Sequence, residues 1–220
     1  MTARSSVPMP APLLAAYVVF AVAAIVASQL GWQTAAMALK GIPVMLLLVV
    51  VAQPQLAGRG DRFLRWLWLG LAAGMVGDVV IEVSFVGGLV AFLVGHIFYL
   101  IAMGLPRERP MAHLMAAVPA LAVWITMMWT LVANVAAPPQ MHLPLTLYMT
   151  VITLMMARAW GRGIVAPAGG PQVLMLIGAT LFVVSDGAIA MERWVIDLPF
   201  NEPFILGTYY LAQLLISRAR

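Results

Sequence analysis

Apolar runs of near-membrane length follow one another along almost the whole chain, broken only by short stretches of proline, glycine and charge. They fall at residues 11–30, 35–52, 65–84, 86–104, 112–133, 141–159, 172–191 and 203–217. A helix needs about 20 apolar residues to cross a hydrocarbon core, because its backbone N–H and C=O groups must find partners within the segment where water is absent. Each run is near that length, the second and last being shortest. The expected fold class is therefore an all-α integral membrane protein: one domain over residues 1–220, a bundle of eight transmembrane helices in the lipid bilayer. Composition agrees, since a soluble domain could not cover its surface with 9% charged residues among 64% hydrophobic ones.

The first run follows Arg4 and contains "AVAAIVAS", with small residues at cleavage-like spacing. Its apolar part, Ala11 to Ala27, is longer than the roughly 7–15 residues of a signal-peptide core, so a retained helix is expected. Charge then orients the bundle. Arg4, the group Arg59, Arg62 and Arg65, the pairs Arg107 and Arg109 and Arg158 and Arg162, and finally Arg218 and Arg220 all fall on one face if every run crosses. The opposite loops carry only Arg193, and Lys40 lies inside the second run. Basic loops stay on the cytoplasmic side, so both termini are expected there, in a bacterial cytoplasmic (inner) membrane. The same bias explains 12 basic against 8 acidic residues without a nucleic-acid partner. The absence of cysteine excludes disulfides, thiolate metal sites and cysteine nucleophiles.

An ionisable side chain at a helix centre costs roughly 2.5–3.5 kcal/mol on insertion scales, which makes each one in a span a candidate functional group. At about 1.5 Å per residue, Asp78 lies some 20 Å beyond Arg65 and Asp186 some 21 Å beyond Gln172, both on outward-running helices. The two acids share a depth. Lys40 on helix 2, His96 on helix 4, and Tyr209, Tyr210 and Gln213 on helix 8 reach comparable levels, so a polar layer in the outer half of the bilayer is expected. Glu82 stands at i, i+4 from Asp78, one turn nearer the water. Tyr99 and Ser185 lie close by in sequence and complete the candidate set. His113 and His142, at run ends, read as interfacial. With a single deep histidine and no cysteine, neither a metal nor a cofactor is expected.

A faint internal echo relates "GDVVIE" and "HIFYLIA" to "SDGAIAME" and "TYYLAQLL", consistent with a duplicated four-helix unit. Gly70 and Gly74 form a GxxxG pair on helix 3, and Gly77, Gly88 and Gly95 continue the small-residue theme, which permits close approach beside the acids.

The ordered pieces "GDVVIE", "FLVGHIFYLIA", "GATLFVVSDGAIA" and "TYYLAQLLI" resemble the YhhN-type lysoplasmalogenase family of multispanning membrane proteins. They cover helices 3, 4, 7 and 8. The first two helices match loosely: members often carry a lysine closely followed by proline, and here the order is Lys40-Gly-Ile-Pro43. The resemblance implies about eight transmembrane helices and hydrolysis of the vinyl ether bond of a lysophospholipid. The products would be a fatty aldehyde and glycerophosphoethanolamine or glycerophosphocholine.

That chemistry starts with protonation of an alkene carbon, passes through an oxocarbenium ion and ends with water addition. Two carboxyls in a lipid-shielded pocket suit it, as acid pairs suit glycoside hydrolysis. Burial and like charge favour one neutral and one ionised partner. Asp78 and Asp186 are therefore the expected acid and base, with His96 as a proton-transfer group. Lys40, Tyr99, Tyr209, Tyr210, Gln213, Glu82 and Ser185 would bind substrate. Three rival readings stay open at this point: a transporter or proton-coupled carrier, a lipid-binding or structural membrane protein, and a metal-dependent hydrolase using carboxylate ligands.

Overall fold

Aspartate, serine and proline set most of the helix starts in the computed structural model, which describes residues 9–105, 110–134, 136–164, 166 and 170–219. Asp61 caps the third helix by accepting from the Leu64 N–H at 2.9 Å, and Ser84 caps the fourth by accepting from the Gly87 N–H at 3.1 Å. Prolines open the first, sixth and seventh helices, where a missing N–H leaves nothing unsatisfied. The described residues hold α1 (Ala11–Gln29), α2 (Gln33–Leu56), α3 (Arg62–Val80), α4 (Phe85–Met103), α5 (Pro110–Met128), α6 (Pro139–Gly163), α7 (Pro171–Trp194) and α8 (Asn201–Arg218), with no strand among them. A π-helical turn, Trp129–Ala133, continues α5. Arg4, Arg107, Arg109 and Arg220, which entered the charge argument, lie outside the described residues.

Seven helices, α1 to α7, are long and apolar enough to cross a membrane. α8 falls below that standard, and its surroundings supply the reason. It packs against α7, α1 and α2 and buries Tyr209, Tyr210, Gln213 and Ser217. A helix sheathed by protein keeps polar side chains by giving them partners, at the expense of hydropathy.

One expected boundary is corrected. Helix 3 was expected over 65–84, but α3 ends at Val80 and a turn leads to Ser84, the cap of α4. The Ser84 cap starts a new helix there, so Glu82 sits in the turn and not on the Asp78 face of α3.

Packing closes a ring. α2 meets α3, α3 meets α4, α4 meets α6, α6 meets α7, α7 meets α8, and α8 returns to α2. α1 fills the angle between α2 and α8, while α5 lies outside against α6. Small residues let the ring close: a Cβ on Gly95 of α4 would stand 3.1 Å from the Gly70 carbonyl oxygen of α3, and one on Gly178 of α7 would stand 3.1 Å from the Ala212 carbonyl oxygen of α8. α4 is also held at its far end. Gly104, at φ 67°, ends the helix, and the Arg158 guanidinium of α6 donates to the Met103, Gly104 and Leu105 carbonyls at 3.2, 2.6 and 2.8 Å. Those are the acceptors that a helix C-terminus leaves without partners.

Candidate active site

The ring interior holds two hydrogen-bonded carboxyl clusters. In the first, Asp78 on α3 is 4% exposed and accepts from the Tyr209 hydroxyl of α8 at 2.9 Å. Gln213, one turn along α8, donates its amide N–H to the Tyr209 oxygen at 3.0 Å and accepts the Tyr99 hydroxyl of α4 at 2.6 Å. Donors therefore point in sequence from Tyr99 through Gln213 and Tyr209 to Asp78. Gly74 makes the room: a Cβ there would stand 2.8 Å from the Gln213 amide nitrogen and 3.4 Å from the Tyr209 oxygen.

In the second cluster, Tyr148 of α6 donates to Asp186 Oδ2 of α7 at 2.5 Å. His96 Nε2, from α4, lies 3.1 Å from the same oxygen and 3.0 Å from the Tyr148 hydroxyl. His96 Nδ1 is buried and has no hydrogen-bond partner among the described residues. Such a group calls for a polar guest, because an unsatisfied buried polar atom costs about 1–3 kcal/mol.

The Phe182 ring stands between the clusters, 5.1 Å from the His96 ring, 5.9 Å from Tyr99 and 5.8 Å from Tyr209. Each carboxyl thus has its own phenol donor, with an aromatic partition between them. A shallow, open cleft reaches the second: Tyr148 and Asp186 stand in its wall beside Phe92, Leu145 and Met149. Asp78 does not line it.

The remaining candidates divide by position. Lys40 and Glu82 form a 2.6 Å ion pair, with Glu202 at 3.8 Å, at the end of the bundle where α3 gives way to α4 and α8 begins. Tyr210 donates to the Lys40 carbonyl at 3.1 Å, beside the break that Pro43 makes in the backbone ladder of α2. Tyr17 of α1 donates in turn to the Tyr210 carbonyl at 2.6 Å. Ser185 ties α7 to α8 through the Ile205 carbonyl at 2.9 Å. The geometry thus brings Asp78, Tyr209, Gln213 and Tyr99 together, and Asp186 with His96. It sets Lys40 and Glu82 apart at the rim and gives Tyr210 and Ser185 partners on neighbouring backbones.

Sequence reasoning missed Tyr148. It lies nine residues into α6, about 14 Å deep at the ordinary helical rise. Interfacial tyrosines belong at membrane edges, so a tyrosine at that depth was the available signal. Away from the ring centre, His113 meets Arg158 at 2.7 Å, and His142 meets the Ala137 carbonyl at 3.0 Å. Among the described residues no group of three or more histidines and carboxylates is placed to share a metal ion.

A ring of membrane helices closed around buried carboxyl, phenol and imidazole groups defines an α-helical polytopic membrane protein. The YhhN family model matches residues 35–220, and the chain belongs to that family of lysoplasmalogenase-like membrane enzymes. It is 31% identical to lysoplasmalogenase TMEM86B of Sus scrofa over 180 residues, 81% of this chain and 72% of that protein. It is 32% identical to TMEM86B of Rattus norvegicus over 69% of this chain and 60% of that protein. Against lysoplasmalogenase TMEM86A of Homo sapiens the identity is 28%, over 69% of this chain and 63% of that protein. The matches to the rat and human proteins therefore span less than two thirds of their length. No solved structure matches this chain.

Proposed function

We propose that this protein hydrolyses the vinyl ether bond of lysoplasmalogens, releasing a fatty aldehyde and glycerophosphoethanolamine or glycerophosphocholine. The observation that carries the reading is a pair of carboxyl groups, each held by a tyrosine hydroxyl, inside a ring of largely apolar helices. Similarity to proteins named lysoplasmalogenase supports the substrate class.

In this reading the clusters built on Asp78 and Asp186 together form the acid–base site. A neutral carboxyl gives its proton to the alkene carbon one removed from the ether oxygen, and the π electrons form the new C–H bond. The ether carbon becomes an oxocarbenium centre, stabilised by the carboxylate just formed. Water adds to that carbon and returns a proton to the carboxylate. The hemiacetal then breaks its bond to the glycerol oxygen, which takes the remaining proton. His96, with its unpartnered Nδ1, holds the attacking water, and the Lys40–Glu82–Glu202 group meets the headgroup at the rim. All eight helices cross the bilayer, both termini face the cytoplasm, and the location is a bacterial inner membrane.

The test is aldehyde release from a vinyl ether lysolipid by purified protein in detergent or bilayers. Release by the wild type, lost in an Asp186→Asn variant that folds, is the expected result. Intact lipid with the wild type would sink the reading.

A further inference from the structure

The two carboxyls are not equivalent. Asp186 stands in the wall of this apolar cleft and Asp78 does not, although depth along the sequence makes them a matched pair. The cleft is walled by Phe85, Leu89 and Phe92 of α4, Leu145 and Met149 of α6, and Ile189 of α7. Phe85 to Phe92 spans about 10 Å along α4, so the apolar wall runs for about two helical turns. At its wall stand the polar side chains Tyr148 and Asp186. Both hydrogen bonds of the cluster fall on Asp186 Oδ2, so Oδ1 is the oxygen the cluster does not use. The Asp186 side chain is 10% exposed, as a group that must touch a guest requires.

We infer that this cleft is the seat of the substrate's hydrocarbon chain and presents the alkene next to the ether oxygen to Asp186, with Tyr148 in contact. The inference rests on the proposed hydrolysis and refines it. Asp186 is then the proton donor to carbon, and its Oδ1 makes the transfer. Tyr148 holds Oδ2, which fixes the plane of the carboxyl and stabilises the carboxylate left behind. Asp78 becomes a positioning residue: Tyr209, which it anchors, packs on Phe182, and Phe182 packs on the His96 ring. The occupant is a single unbranched chain, because the wall is hydrocarbon and the two polar groups at it are those that the reaction needs.

The experiment uses a saturated ether lysolipid, which cannot be hydrolysed, carrying a photoreactive diazirine along its chain. It is applied to the full-length protein in bilayers with and without excess unlabelled lysolipid, and labelled peptides are mapped by mass spectrometry. Label that competitor removes is expected on the α4 segment around Leu89 and the α7 segment around Ile189. Leu89→Trp and Ile189→Trp, two variants on different walls, should each lower that label about tenfold and shift turnover toward shorter chains. Label mapped to other helices while the wild type still releases aldehyde would overturn the cleft assignment and leave the hydrolase reading standing. Competed label in the cleft without aldehyde release would keep the chain seat and remove the vinyl ether. For the split between the acids, Asp186→Asn should lower turnover by about 100-fold or more at every chain length. Asp78→Asn should lower kcat while keeping KM and the chain-length profile. Equal loss in both would overturn the asymmetry.

Discussion

The side chains that matter most in this protein are polar groups whose partners come from distant parts of the chain. Tyr209 and Asp78 are separated by 131 positions, yet the phenol gives the carboxyl its described hydrogen bond. Tyr209→Phe keeps the ring and removes the donor, so it should destabilise the fold by about 1–3 kcal/mol, read as a lower denaturation midpoint in detergent. Asp186→Asn should instead lower aldehyde release by about 100-fold or more with little change in that midpoint, because a general acid contributes roughly 10²–10⁴ in rate. Lys40 differs from both. Its ion pair with Glu82 lies at the rim with side chains only 12% and 22% exposed, so Lys40→Met leaves a largely covered carboxylate without its nearest cation and should cost about 1–3 kcal/mol of stability while raising KM. The carboxyls, His96 and the α8 tyrosines were legible in the sequence because a charge or a cluster of polar groups in an apolar run is expensive and visible. Tyr148 was not, because a tyrosine among apolar residues and threonines is common, and only its depth in α6 marks it. The pairing of each acid with its own phenol was also hidden, since depth along a helix says nothing of rotation about its axis.

At the level of helices, number and order could be read from apolar runs, whereas ends depended on caps. α3 stops at Val80 because Ser84 starts the next helix, and an apolar count passes over that signal. The GxxxG pair also takes on a more specific meaning. Gly70 faces the Tyr99 ring and Gly74 the Gln213 amide, so these glycines shape room for side chains of the first cluster. Gly70→Ala should press a methyl into a rigid ring, lowering stability by about 1–3 kcal/mol in thermal unfolding and displacing the donor chain toward Asp78. Arg158 likewise exceeds its reading as an orienting charge. It gathers three carbonyls at the end of α4 with a planar fork that lysine cannot reproduce. Arg158→Lys should accordingly speed hydrogen exchange in the last turn of α4 before it affects α7 or α8.

Across the whole molecule, the ring has a reciprocal design. Asp78 in the first four helices receives its donor from α8, and Asp186 in the last four meets His96 of α4. The relation suits a duplicated four-helix unit, with each half completing the carboxyl cluster of the other. Two fragments cut between α4 and α5 and produced together should therefore recover aldehyde release, while either fragment alone should give none; activity from one half would contradict the shared site. The same crossing bears on how the protein is made. While a ribosome is still delivering the second half, Asp78 already resides in the membrane without Tyr209, and His96 without Asp186. The nascent chain carries His96 without its acid until α7 is in place, and Asp78 without its phenol until α8 follows. A chain that stops short of α8 would expose a bare acid to lipid, a mark by which a membrane protease could tell an unfinished copy from a finished one.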